Sequence, residues 1–300
     1  MIDAKIIADS QANGHDSRLT TFICAYPRFI HSEMMTHRAL SKNSASSRAI
    51  PVRKMIEAVA DEPAWPVKWP AEQKGMAGGE DMPADQQRNI FRALDTLRQN
   101  AYWLAGTISN VGLHKSVVNR YLEPWAHMTI IVTGESKGWQ NFFALRAHPM
   151  AQPEFQVLAY VMLGKYLKST PAVLSAGDWH VPFGDRCEGL QLADRLKVAT
   201  GRCARVSYLT HDGMASQKAD IELHDRLANS RPVHASAFEH CAQYARDGWP
   251  VDPSNFGRPW MQYRKYIKGE TSKMPREALE LRWEERPEWV KTAIEENRAW

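Results

Sequence analysis

The sequence predicts an α+β protein, a mixed or antiparallel sheet beside long helices. Two runs, RLTTFICAYPRF (18–29) and AHMTIIVTG (126–134), are rich in β-branched and aromatic residues, as buried strands are. Two longer runs, 84–108 and 151–167, carry apolar residues at helical spacing, among them Ile90, Leu94, Leu97, Tyr102 and Leu104 in the first. Proline- and glycine-containing stretches separate these blocks.

Taken in order, the N-terminal MIDAKIIADSQANGHDSR holds no apolar stretch long enough for a signal peptide. After the first strand, Pro27 suits the first turn of a helix. Phe29, Ile30, Met34 and Leu40 can share its apolar face. A polar cluster then begins near Thr36 and runs as a loop to Pro51, which opens a second helix, PVRKMIEAVAD. Residues 61–82 mix Pro, Gly and Trp without a period and read as a long loop, a form that is often functional. A helix over 83–111, a short one near 114–122, the second strand, a helix beginning at WQNFFALRAHP and another over 151–167 follow. SAGDWHVPFGD (175–185) is the best candidate boundary, dividing a core of 1–175 from a C-terminal part of 186–300. Beyond it, 190–207 and 215–230 read as helical and lead into RPVHASAFEHCAQYA. There is no internal repeat or low-complexity segment.

The 300 residues suffice for a substantial core, and 44% hydrophobic with 24% charged residues is ordinary for a globular protein. A net charge of +4 is too mild to imply nucleic-acid binding, and suits small phosphorylated ligands held by a few arginines. No segment approaches a membrane span. Four cysteines, Cys24, Cys187, Cys203 and Cys241, form no CxxC pair, so a disulfide framework or zinc site is not expected and a cytoplasmic location is.

GxGxxG after a strand, GxxxxGK[ST], HExxH and GxSxG are all missing. His31, Glu33 and His37 are close in sequence, but their spacing does not gather them as metal ligands on one helix face, and no metal is expected. MMTHRALSKNSASSRAIP (34–51) is more informative. Thr36, His37 and Arg38 end a helix, and Ser41 lies four residues after His37, so both can point the same way. Arg48 precedes the helix opened by Pro51, where free N–H groups and serine hydroxyls make an anion site. A serine-rich capping loop with solvated arginines explains the same residues. Arg120 and Arg146 sit in apolar company, where a buried charge needs a carboxylate or a ligand as partner; Glu154 is one candidate for Arg146. Glu239 and His240, beside Phe238, read alone as a structural contact.

THRALSKNSASSR resembles the signature of the flavin-dependent thymidylate synthases, RHRxxSxNxxSxR. His37, Arg38, Ser41, Asn43, Ser46 and Arg48 match, and Thr36 replaces the first arginine. NRYLEP is similar to the family's ARxxLP and puts its nucleotide-binding arginine at Arg120. NFFALRAHPMAQPE is similar to the family's N-x-x-x-x-R segment. It puts Asn141 at a flavin contact, with Lys137 beside it, and Arg146 at the arginine that activates the pyrimidine. Two segments that open the family's chain, ARVS and HxSxFEH, stand here at 204–207 and 234–240, so the order looks circularly permuted. They carry Ser207 and His240 over as flavin contacts and are expected to pack into the same catalytic unit.

The resemblance implies an enzyme that binds FAD and methylates dUMP at C5, with methylenetetrahydrofolate and NADPH as co-substrates. It also implies a homotetramer with shared sites. Arg146 and Ser46 are the implied catalytic residues. Glu33, Thr36, Ser44, Arg48 and Arg120 complete the nucleotide site, and His37, Arg38, Asn43, Lys137, Asn141, Ser207 and His240 hold the flavin. Three departures cluster at the pyrimidine: Glu33 where the family has Gln, Thr36 for Arg, and Ser44 for Glu. An acidic side chain can accept from a cytosine amino group. A related flavin enzyme methylating or hydroxymethylating dCMP is therefore the alternative, and a non-catalytic nucleotide-binding protein a further one.

Overall fold

The computed structural model describes residues 1–210, 213, 215–246, 248–249, 255–271 and 274–297. Five strands, β1 (Asp3–Ala12), β2 (Arg18–Pro27), β3 (Ser41–Ser44), β4 (His127–Glu135) and β5 (Ala172–Leu174), form a sheet in the order β3-β4-β2-β1-β5. β5 runs parallel to β1 and the other neighbours are antiparallel, so the sheet is mixed. Three short strands, β6 (Trp179–His180), β7 (Ala242–Tyr244) and β8 (Trp260–Gln262), make a second, antiparallel sheet. The helices are α1 (His31–Thr36), α2 (Val52–Asp61), α3 (Ala84–Asn110), α4 (Lys115–Val118), α5 (Ser136–Arg146), α6 (Pro153–Lys168), α7 (Leu192–Arg205), α8 (Gln217–Asn229), α9 (Arg276–Glu284) and α10 (Glu288–Asn297). The α+β class expected from the sequence is the class observed.

The large sheet is covered on both faces, which is why β2 and β4 read as nearly continuous apolar runs. One face presents Phe22, Cys24, Ile130 and Val132 to Trp139, Phe142, Phe155 and Met162 of α5 and α6. The other presents Ile23 and Ile131 to Phe183, Cys203 and Val206 of the C-terminal part, with Leu19 further along against Trp260 and Tyr244. α7 and α8 are tied by Asp220, fully buried, which pairs with Arg202 at 2.7 Å and with Arg205.

Three local readings change. The N-terminus forms β1, with Ala4 and Ile6 toward one core and Ile7 toward another across a register shift between Ile6 and Ala8. The helix after Pro27 is shorter than expected: one 3-10 turn, Arg28–Ile30, leads into α1, which ends at Thr36. Leu40 therefore enters the core from a turn. Ser41 does not share a helix face with His37, because it begins β3, an edge strand recruited by pairing Ser41 with Thr133 and Ser44 with Ile130. SKNS has no strand propensity of its own, and the pairing with β4 overrides it. Gly134 lets the turn and α5 close on β4: a Cβ there would lie 2.3 Å from Leu40 Cδ2.

Candidate functional site

The turn after α1 is fastened by Lys42, whose Nζ donates to the carbonyls of His37 (2.5 Å) and Leu40 (2.7 Å); burial pulls its pKa down to about 8. This fixes His37, a buried ring edge-on to Phe142, directly under the end of α5. There Arg146 lies over the Phe155 ring, 4.7 Å from its centroid. Its Nε donates to His37 Nε2 at 2.9 Å, one terminal nitrogen donates to Glu33 Oε2 at 2.7 Å, and the other to Thr36 Oγ1 at 3.4 Å. Glu154 is not its partner. That carboxylate instead accepts from Val67 N–H and the Gln152 amide.

The protonation of this cluster follows from its geometry. A nitrogen that accepts from a guanidinium cannot carry a proton, so His37 is neutral with hydrogen on Nδ1. Burial, the charge of Arg146 and that of Lys42 lower its pKa to about 4, in agreement. Among the described residues three of the five guanidinium N–H groups are used, which leaves two on a side chain 18% exposed. Glu33 Oε1 accepts no hydrogen bond among the described residues.

A second group gathers around Glu123. Its Oε1 accepts from Ser47 Oγ at 2.6 Å and Arg120 at 2.8 Å, with Arg28 at 3.1 Å. It thus joins Arg120 to the 46–48 turn. Arg48 is exposed and Ser46 half-buried. Among the described residues no hydrogen bond links this group to Arg146.

A third group links the two motif segments that are far apart in sequence. Asn43 donates to Cys203 O at 2.7 Å and accepts from Ser236 Oγ at 3.2 Å. Ser207 O accepts from Ser46 N–H at 3.1 Å, and Ser207 Oγ donates to Ser44 O at 3.3 Å. The displaced ARVS and HxSxFEH segments therefore lie against β3 and the motif turn.

The remaining expected flavin contacts divide in two. Arg38, Lys137 and Asn141 are exposed. Gly138 of α5 lies close to Ala39, which brings the first turn of α5 beside the residue that follows Arg38. Among the described residues Arg38 and Lys137 have no ion partner, while the N-terminus of α5 is capped by Glu135, whose carboxylate accepts Lys137 N–H at 3.0 Å. His240, by contrast, is fully buried. Its Nδ1 meets Thr133 Oγ1 at 2.8 Å, and its Nε2 has no partner among the described residues.

That histidine ends a row of hydrogen bonds that local sequence does not announce. Thr133 Oγ1 meets Thr21 Oγ1 across the β4–β2 pair at 2.8 Å, Thr21 Oγ1 meets His180 Nε2 at 2.8 Å, and His180 Nδ1 meets Ser10 Oγ at 2.8 Å. All five residues are buried, and burial lowers the pKa of His180 and of His240 to about 3. Lys42, Glu123, Phe155, His180, Thr21 and Thr133 are the contributors that sequence reading missed. Glu123, His180, Thr21 and Thr133 act through long-range contacts that no local motif encodes, whereas Lys42 and Phe155 act over short sequence distances.

Among the described residues no cluster of His, Cys, Asp and Glu is arranged to hold a metal, and no helix is long and apolar enough to cross a membrane. All four cysteines are free and buried; burial pushes the thiols of Cys187 and Cys241 up to about 11 and 12.

Residues 5–172 match the family model described as thymidylate synthase complementing protein. Solved structures similar to this chain include the UMP/dUMP methylase PolB from Streptomyces cacaoi bound with 5-Br dUMP. It has 16% identity and a TM-score of 0.46, over 56% of this chain and 90% of that one. The same protein bound with 5-Br UMP gives 15% identity and a TM-score of 0.45, over 56% and 89%. No curated protein matches.

Proposed function

The chain belongs to the thymidylate synthase complementing protein family, and from that premise we propose that it is a flavin-dependent enzyme transferring a one-carbon unit to C5 of a pyrimidine deoxynucleotide monophosphate. The first substrate is dUMP, methylenetetrahydrofolate gives the carbon, and NADPH gives the electrons. FAD, when bound, supplies the redox chemistry that completes the methyl group.

The observation that carries this reading is the setting of Arg146. A C5 nucleophile forms as negative charge builds on the ring's amide oxygens and N3. A guanidinium held on three sides, stacked on Phe155 and keeping two free N–H groups, is built to stabilise that charge without reorganising. His37, neutral, orients it. Ser46, Arg48 and Arg120 hold and align the phosphate end. Arg38, Lys137 and Asn141 receive the flavin's charged arm. The complete site, in this reading, is shared between subunits of a homotetramer, as the resemblance to the flavin-dependent thymidylate synthases implies.

Glu33 favours a second reading. It offsets the charge of Arg146 and keeps Oε1 free to accept from a cytosine amino group, which dUMP lacks. A dCMP-directed methyl or hydroxymethyl transfer is the alternative.

The test is direct. The purified protein is incubated with FAD, NADPH, methylenetetrahydrofolate and either dUMP or dCMP, and the product is weighed. A gain of 14 mass units on dUMP, the difference of one CH₂ (about 14 Da), is the expected outcome. Product from dCMP alone moves the assignment to the alternative. A protein that gains no flavin absorbance and turns over neither nucleotide removes both.

A further inference from the structure

The turn that carries Arg120 is held by backbone contacts as well as by charge. Asn119, fully buried, donates to Ser47 O at 2.7 Å and to Ile50 O at 2.9 Å, and Lys115 Nζ donates to Ala49 O at 2.9 Å. At the other end Ala126 N–H donates to Glu123 O at 3.2 Å, and Ala126 O accepts Arg28 N–H at 2.9 Å. The 3-10 turn Asn119–Trp125 is thereby joined to the 46–50 turn on one side and to the end of β2 on the other. This frame presents the Glu123 carboxylate to Ser47. The pattern ARxxLP, set on Arg120 and Pro124, has Leu where this chain has Glu123. A carboxylate is therefore not what the turn needs in order to form.

What the carboxylate adds is electrostatic. Its Oε1 takes the Ser47 hydroxyl hydrogen and an Arg120 N–H, Arg28 lies 3.1 Å away, and the side chain is 20% exposed. A hydroxyl and two guanidinium groups around one anionic oxygen are the donor set that a phosphate oxygen collects. Ser47 has one hydroxyl hydrogen to give, and Glu123 holds it. Arg28, Arg48 and Arg120 bring three positive charges to this end of the site, and Glu123 offsets one of them. A phosphate monoester, with about −1.5 to −2 charge at pH 7, meets a guanidinium already paired and a like charge beside it.

We propose that Glu123 is a specificity-determining residue, a resident anion that occupies the donors of the phosphate end. It lowers affinity for the phosphate, so the protein separates a nucleotide from its nucleoside less sharply than its arginines alone would. The inference rests on the reading above, in which Arg120 and the 46–48 turn hold the phosphate.

Calorimetric titration of the full chain with dUMP or dCMP, whichever the wild type binds more tightly, and with the matching nucleoside tests it. Glu123→Gln keeps an acceptor for Ser47 and removes the charge. It tightens nucleotide binding about 10-fold and leaves nucleoside binding unchanged, and the gain shrinks at high ionic strength. Glu123→Leu acts in the same direction. Arg120→Gln, at a half-exposed side chain, weakens nucleotide binding several-fold and removes most of the gain when combined with Glu123→Gln. Nucleotide affinity that stays level or falls in both Glu123 variants overturns the proposal. So does a gain that the nucleoside shares, or one that persists in full without Arg120. Nucleotide bound equally by wild type and Glu123 variants ends this role for Glu123 and leaves the nucleotide reading standing. Nucleotide bound by none of these proteins ends the nucleotide reading itself.

Discussion

Two histidines of this molecule are held neutral by burial, and they sit in opposite kinds of neighbourhood. His37 accepts from a charged group that keeps spare donors at a half-open surface. His240 ends a sealed row of hydroxyls and imidazole whose members are all buried. The first neighbourhood is unsaturated and charged, as a site for chemistry is. The second is almost saturated and uncharged, and it joins β1, β2 and β4 to the C-terminal part. Exposure and leftover valence, more than residue type, separate a reacting cluster from a scaffold cluster.

On that contrast, Arg146→Ala should cost the most. Turnover should fall about 10²–10³-fold while nucleotide affinity changes little, since the interaction strengthens as charge develops; single-turnover rates and equilibrium binding check this. Unchanged turnover would erase the distinction. Thr133→Val should do the reverse. It strands His240 Nδ1 and Thr21 Oγ1 in the interior, at about 2–3 kcal/mol of stability by urea unfolding, with activity per folded molecule retained.

A smaller effect concerns pH. His37, His180 and His240 have folded pKa values of about 4, 3 and 3, below the ordinary 6.5, so the unfolded chain binds protons first as pH falls. Stability is therefore full above pH 6.5 and declines below it, at up to about 1.4 kcal/mol per pH unit for each of the two fully buried rings. Unfolding between pH 7.5 and 4.5 should show the slope, and His180→Gln should flatten it. Least of all, Glu33→Gln should shift the preference between dCMP and dUMP toward dUMP by about 10-fold in kcat/KM. A ratio that does not move would detach Glu33 from base choice.

The legible parts of the fold were those that carry their own period: β2, β4, α3 and α6. β3 was not legible, because Ser-Lys-Asn-Ser becomes a strand only when β4 offers an edge. The Arg146 neighbourhood was half legible. The family resemblance named Glu33, Thr36 and His37, yet the sequence offered Glu154 as ion partner, and α6 turns that carboxylate toward Val67. His180 lies in a Gly/Pro-containing stretch, and nothing in WHVP tells that its ring will reach Ser10 and Thr21 across some 160 to 170 residues.

The row from Ser10 to His240 has a direction. Each threonine hydroxyl gives one hydrogen and takes one, so the whole row must point one way or the other. Run from Ser10, every hydrogen finds an acceptor until the last, and only an N–H on His240 Nε2 is left over. Run the other way, both the Ser10 hydroxyl hydrogen and a His240 lone pair are stranded. The first arrangement leaves fewer orphans, so a serine hydroxyl on β1 dictates which nitrogen of a C-terminal ring bears hydrogen. Nitrogen-15 chemical shifts would read that choice in the wild type and its loss in Ser10→Ala, where the two directions become equivalent.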